Sequence, residues 1–118
     1  MSFLTYPGDN WRNKPVVWLA GKIESPPFSI QARREAGALI RALQNGFALG
    51  MPHSRPMPTI GPRCHELRVE DEGCSWRIVY RTDRDAILIA DIFRKKTEKT
   101  PGSVIAACRQ RLKRYDNA

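Results

Sequence analysis

The feature that most limits how this chain can fold is a set of three apolar runs placed close together: Cys64 to Glu70, Ser75 to Arg81 and Ala86 to Phe93. Only Asp71-Glu72-Gly73-Cys74 and Thr82-Asp83-Arg84-Asp85 separate them, and both connectors are rich in turn formers. Links that short cannot carry a crossover, so neighbouring runs must pair antiparallel, as a meander. A register follows from this. With Asp71 to Cys74 as the loop, Leu67 faces Ile78 and Val69 faces Trp76, which builds one apolar face for a helix to cover. The opposite face then holds Arg68 directly across from Arg77. Facing like charges cost a hairpin about 0.2–1 kcal/mol, and an anion bound between them would reverse the sign.

The third run continues as Ala90-Asp91-Ile92-Phe93-Arg94-Lys95-Lys96-Thr97-Glu98-Lys99-Thr100-Pro101, a strand leading into a cationic turn from which a helix leaves. Between Arg94 and Arg114 the chain carries eight Lys or Arg and one acid, Glu98, so its last fifth can generate most of the net charge of +8. Cations fixed at the mouth of a sheet can hold and polarise a phosphate, whereas cations on a loose tail only attract one. The third strand is expected beside the strand of Arg77. Arg68, Arg77, Lys95 and Lys96 are therefore the candidate catalytic cluster. Two guanidinium groups converging on one phosphate offer bidentate hydrogen bonds that lysine cannot match. Arg94, Lys99 and, on the last helix, Arg109, Arg111, Lys113 and Arg114 are candidate nucleic-acid contacts. The competing reading of Arg68 is a pairing with Glu66 or Glu70 on a solvated face.

Ahead of the meander, Val16 to Leu19 reads as a short strand between Pro15 and Gly21. Ser29 can cap a helix whose apolar positions Ile30, Ala36, Leu39, Ile40, Leu43 and Phe47 recur at three- and four-residue spacing. Met51 to Pro62 contains four prolines and reads as an extended loop with no ladder of its own. Pro101-Gly102 opens a last helix with Val104, Ile105, Cys108, Leu112 and Tyr115 along one side. The order strand, helix, three strands, helix predicts an α+β fold: a small single domain over residues 14–118, its twisted antiparallel sheet packed with helices, preceded by a loose arm over residues 1–13.

A chain of 118 residues, 42% apolar and 27% charged, can bury one core. Its isoelectric point near 9.9 makes nucleic acid or an acidic protein the leading partner class. Cys64, Cys74 and Cys108 are odd in number and lack CxxC spacing, and no secretory segment accompanies them. Three reduced thiols in the cytoplasm are expected, each a small buried hydrophobe. His53 and His65 sit in no ligand pattern, so neither a metal nor a cofactor is expected. His65 falls on the Leu67 face and reads as structural, while His53, in the proline-rich loop, is a candidate general base. Neither helix couples its basic side to a broad face of large apolar residues, which argues against a membrane-surface role.

Several segments, in the right order over about residues 14–115, carry a resemblance. They are Lys14-Pro15-Val16-Val17-Trp18, Arg33-Arg34-Glu35-Ala36-Gly37, Pro56-Met57-Pro58-Thr59-Ile60-Gly61, Glu66-Leu67-Arg68, Trp76-Arg77-Ile78-Val79-Tyr80, Phe93-Arg94-Lys95-Lys96-Thr97 with Lys99-Thr100-Pro101, and Arg111-Leu112. Together they resemble the phage-derived, HigB-like branch of the RelE superfamily of toxins from type II toxin-antitoxin modules. The resemblance implies a ribosome-dependent messenger RNA endonuclease that needs no metal: the ribose 2′-hydroxyl attacks the adjacent phosphate while basic side chains stabilise the charge. It implies messenger RNA on the ribosome and a cognate helix-turn-helix antitoxin as partners. Carried over by position, Arg77 matches the arginine of the family's similar strand, Arg68 the basic end of the preceding strand, and Lys95 or Lys96 the basic residue after the last strand. The chain departs from the family where several relatives carry a tyrosine or histidine near the C-terminal end. Thr100-Pro101 occupies that region, Tyr115 lies a helix away and Tyr80 is expected on the core side, which leaves the general acid and base open. The alternatives are a ParE-type toxin that binds gyrase without nuclease activity, and a non-catalytic nucleic-acid-binding protein of phage origin.

Overall fold

The computed structural model describes residues 13–96 and 98–118. The arm expected over residues 1–13 lies outside the described residues except for Asn13. Seven elements follow in order: β1 (Val16–Trp18), α1 (Ile30–Gln44), β2 (Ser54–Pro56), β3 (Cys64–Asp71), β4 (Cys74–Thr82), β5 (Ile87–Lys95) and α2 (Gly102–Asp116). The strands form one sheet in the order β1-β5-β4-β3-β2. After β1 the chain crosses through α1 to the far edge of the sheet, meanders back, and lays β5 beside β1.

The meander has the expected register, with Leu67 paired to Ile78, Val69 to Trp76 and Arg68 to Arg77. Its turn is tighter than Asp71 to Cys74. Those two residues still pair, leaving Glu72-Gly73 as the tip, where Gly73 takes the positive φ of 69° that a two-residue hairpin requires. Two features depart from the sequence reading. The sheet is mixed, because β1 runs parallel to β5: α1 supplies the crossover that a parallel partner needs. The proline-rich loop does contain a strand, since β2 pairs antiparallel with β3. Pro56 is tolerated there because β2 is an edge strand with one side unpaired.

The sheet has a helix on each face. On one, Phe28, Ala32, Ala36, Ile40 and Leu43 pack onto Leu67, Val69, Trp76, Ile78, Tyr80, Ile87 and Ile89. Ser29 caps α1 as expected, accepting from the Ala32 N–H at 3.0 Å. The buried stripe nevertheless starts at Ala32. Ile30 is 57% exposed and Phe47, beyond the end of α1, is 65% exposed. Phe28, just ahead of the helix, fills the place instead by stacking on Trp76 at 4.0 Å between ring centroids. On the second face, Cys108 and Leu112 of α2 pack with Val79, Ala86, Leu88, Ala90, Cys64, Met57 and Ile60. A register shift opposite Val79 and Tyr80 leaves Ala90 as an extra residue in β5 and switches the parity there, so Leu88 and Phe93 both serve this second core. Cys64 and Cys108 are buried and Cys74 is half-buried, all three as free thiols; burial pushes the Cys108 thiol up to about 12.

Two measurements follow. Ile78→Ala should cost about 2–5 kcal/mol in urea unfolding, and Ile30→Ala less than about 0.5 kcal/mol; equal losses would contradict the observed helix face. Asp71 accepts hydrogen bonds from the Ser29 N–H at 3.0 Å, the Trp76 indole at 2.9 Å and the Glu72 N–H at 2.8 Å. These bonds, Ser29's above all, hold its carboxyl well below the usual carboxylate range. Because the folded value is the lower one, the stabilisation is complete above about pH 4 and disappears as pH falls toward that value. Asp71→Ala should flatten this acid limb of the melting temperature.

Candidate nucleic-acid cleft

Helix α2 covers only one end of its sheet face. At the other end, alternation along the strands sends Arg55 of β2, Glu66 and Arg68 of β3, Arg77 of β4 and Lys95 of β5 to the same side. Arg55, Arg68, Arg77, Lys95, Lys96 and Glu98 line a cleft of about 490 Å³. All four candidate catalytic residues thus come together.

The centre of this cluster is a carboxylate. Glu66 is fully buried. Its Oε1 lies 3.3 Å from Arg55 Nη2, 3.4 Å from Arg77 Nε and 3.8 Å from Lys95 Nζ, and its Oε2 accepts from the Thr100 hydroxyl at 2.7 Å. Arg77 is further held by its Nη1, which donates to Ser75 Oγ and, at 3.1 Å, to the Trp76 carbonyl. The competing reading, a pairing of Arg68 with Glu66 or Glu70, is not seen among the described residues; Arg68 Nη1 lies 3.9 Å from the Met51 sulfur, an acceptor too weak to offset a charge.

Burial, and next the Arg68 guanidinium, pushes Arg77 below the ordinary arginine value, against the pull of Glu66 and Glu70. Lys95 is also shifted down, first by burial and then by Arg55, Arg77 and Arg68, with Glu66 opposing. Arg55 Nε and Arg77 Nε are buried without a hydrogen-bond partner among the described residues. Arg77 Nε faces Glu66 Oε1 at 3.4 Å, so it is held by charge rather than by a hydrogen bond.

The other candidate contacts lie elsewhere. Arg94 is on the α1 side of the sheet, its guanidinium carbon 5.0 Å from the Trp76 ring centroid, because residues adjacent on a strand point to opposite faces. Lys99 is exposed and does not line the cleft. Arg111 donates to the Ala90 carbonyl at 2.8 Å and faces Asp91 at 3.6 Å. Arg114 is exposed on α2. Arg109 and Lys113 line a larger groove of about 820 Å³ beside α2, bordered also by Ile60, Cys64 and Arg81. There Arg81 is held by Asp83 and Asp116, which raise its pKa.

Sequence reasoning missed Arg55, Glu66 and Thr100 as members of the site. Arg55 was hidden by the proline-rich context of β2. Glu66 shares the parity of Arg68, which the sequence shows, but its burial is not visible there. Tyr80 is buried as expected, bonded to Ser54 at 2.7 Å. Half-buried His65 stacks on Tyr80, on the core side. His53 is exposed one residue before β2, and its carbonyl accepts from the Arg68 N–H.

Among the described residues no group of three or more His, Cys, Asp or Glu could hold a metal ion, and no helix is long and apolar enough to cross a membrane. Fold and cleft together define a small α+β protein with a mixed five-stranded sheet, two helices and a cationic depression on one sheet face. The chain belongs to the phage-derived protein Gp49-like family (DUF891), whose model matches residues 27–113. No curated protein and no solved structure matches it.

Replacing Arg68 or Arg77 by Ala should weaken binding of a single-stranded RNA oligonucleotide and lower the slope of log affinity against log salt by about 0.7 per lost phosphate contact. Arg94→Ala should leave both nearly unchanged in a fluorescence-anisotropy titration.

Proposed function

We propose that this protein is the toxin of a type II toxin-antitoxin module, and that it cleaves messenger RNA on the ribosome without a metal. The observation that carries the reading is Arg68 held opposite Arg77, with Lys95 and Lys96 at the same cleft. Hairpins do not gain from facing arginines, so the arrangement makes sense once a phosphate lies between them. Membership of a phage-derived family agrees with such an origin.

In this reading the two guanidiniums bind the non-bridging oxygens of the scissile phosphate and stabilise the added charge as the 2′-oxygen attacks. The O2′–P bond forms as the P–O5′ bond breaks, giving a 2′,3′-cyclic phosphate and a 5′-hydroxyl. Lys95 gives its proton to the departing 5′-oxygen, a role suited to an ammonium whose pKa is lowered by burial. The base that takes the proton from the 2′-hydroxyl is left open: the candidate His53 bonds Arg68 only through its backbone carbonyl and does not line the cleft. Lys96 and Glu98 lie at the entrance on the basic turn. A cognate helix-turn-helix antitoxin would neutralise the toxin by covering this face, and the setting of translation makes the cytoplasm its place of action.

Induced expression in a bacterial host tests the reading, with growth and primer extension on a translated message followed together. Wild type should arrest growth and produce new in-frame 5′ ends, and Arg77→Ala should abolish both. Arrest without cleavage would favour a gyrase-type target. Normal growth with soluble, folded protein would leave only nucleic-acid binding.

A further inference from the structure

We infer that Glu66 is the positioning residue of the cleft: its carboxylate gathers Arg55, Arg77 and Lys95 around one oxygen and, through Thr100, ties the basic turn to the sheet before any phosphate arrives. The kinetic part of this inference rests on the RNA-cleaving reading. The electrostatic part does not.

Glu66 is badly placed for any direct part in chemistry. Its side chain is 0% exposed and three cations crowd its Oε1, while its Oε2 is taken by Thr100. A general base must come within hydrogen-bond reach of the proton it removes, and no ribose can approach this carboxylate. Nor is it an ordinary surface counter-ion. A lone buried carboxylate is strongly disfavoured, and here the cost is met by cations that would repel one another without it.

The arrangement explains how side chains as buried as Arg77, 5% exposed, and Lys95, 8% exposed, stand together. Preorganised charge acts without reorganising at the moment of reaction, and Glu66 is the group that preorganises it. Thr100 adds a mechanical element. It stands between the basic turn and α2, so its bond to Glu66 fixes where that turn meets the sheet.

The groups facing Lys95 are Glu66 and Arg68 from β3, Arg55 from β2, Arg77 from β4, and Lys96 and Glu98 from the turn. Of those whose influence on its pKa is resolved, Glu66 alone raises it. Glu66→Gln removes that charge at nearly constant shape and leaves the cations unopposed, so Lys95 must lose its proton at lower pH than in wild type.

The test uses the full chain with Glu66→Gln and Thr100→Val, and three readouts. The first is affinity for a 2′-O-methyl RNA oligonucleotide, which cannot be cleaved. The second is single-turnover cleavage on ribosomes against pH. The third is the titration of the Lys95 side-chain nitrogen by NMR. E66Q should bind the oligonucleotide at least as tightly as wild type, cleave about tenfold to a hundredfold more slowly, and show its alkaline limb and its Lys95 titration moved to lower pH. T100V should slow cleavage while leaving the Lys95 titration near that of wild type. Wild-type cleavage and an unmoved Lys95 titration in E66Q would overturn the inference. Should E66Q fail to fold, T100V decides: slowed cleavage upholds the positioning role and a wild-type rate overturns it. If wild type itself cuts no RNA, the proposed function fails, and the Lys95 titration in E66Q still decides whether Glu66 organises the cleft.

Discussion

The pairing of β3 with β4 is the constraint on which the rest depends. Both strands are two-faced. One face carries Leu67, Val69, Trp76, Ile78 and Tyr80 into the core under α1, and the other carries Glu66, Arg68 and Arg77. Side chains alternate with a period of two, so a slip by one residue would bury the arginines and expose the leucine. Burying even one large apolar side chain is worth about 1.5–3 kcal/mol, several times the 0.2–1 kcal/mol or so lost when two arginines face each other. The core therefore dictates the register, and the register imposes the charge cluster. Two functions of the hairpin, holding the fold together and presenting cations, are thereby inseparable.

The second face is divided by how far α2 reaches. Cys108 and Leu112 settle over Val79, Leu88 and Ala90, and polar contacts pin the helix along its length. Arg81 grips Asp116 near its C-terminus, Arg111 bonds to the Ala90 carbonyl, and Thr100, just before it, bonds to Glu66. The groove beside α2 is larger than the cleft. Size is a poor guide here, because Arg81 in that groove is engaged by two carboxylates, whereas in the cleft the single carboxylate of Glu66 is shared by Arg55, Arg77 and Lys95.

How much of this could be read from the sequence depended on how local the cause was. The meander, its register and the facing arginines were legible because short connectors leave one way to pair and alternation does the rest. The stripe of α1 was legible only in part: the buried residues are Ala32, Ala36, Ile40 and Leu43, Ile30 lies six residues from Ala36 and so about 120° round the helix from that stripe, and Phe47 lies beyond the helix end. The parallel pairing of β1 and the existence of β2 were not legible. Both depend on which distant strand offers a free edge, and prolines disguise β2. The same blind spot hid Arg55. Glu66 was misread for another reason: sequence shows that an acid has the parity of Arg68, but not that the groups around it shut out water and turn a surface partner into a buried hub.

Lys95 and Lys96 show how that burial separates neighbours of the same type. Lys95 is the last residue of β5, paired with Ser75, and its side chain lies against Glu66. Lys96 has left the strand and is exposed. An exposed ammonium remains strongly hydrated, contributes to the long-range attraction that speeds encounter with a polyanion, and is screened by salt within about 10 Å at 0.1 M. An ammonium held in place with little water can act on one atom, and its proton affinity can be tuned by the charges packed around it. Two kinds of cation therefore stand at adjacent positions, one hydrated and screened by salt and one fixed and tuned by its neighbours, and the end of a β-strand is the boundary between them.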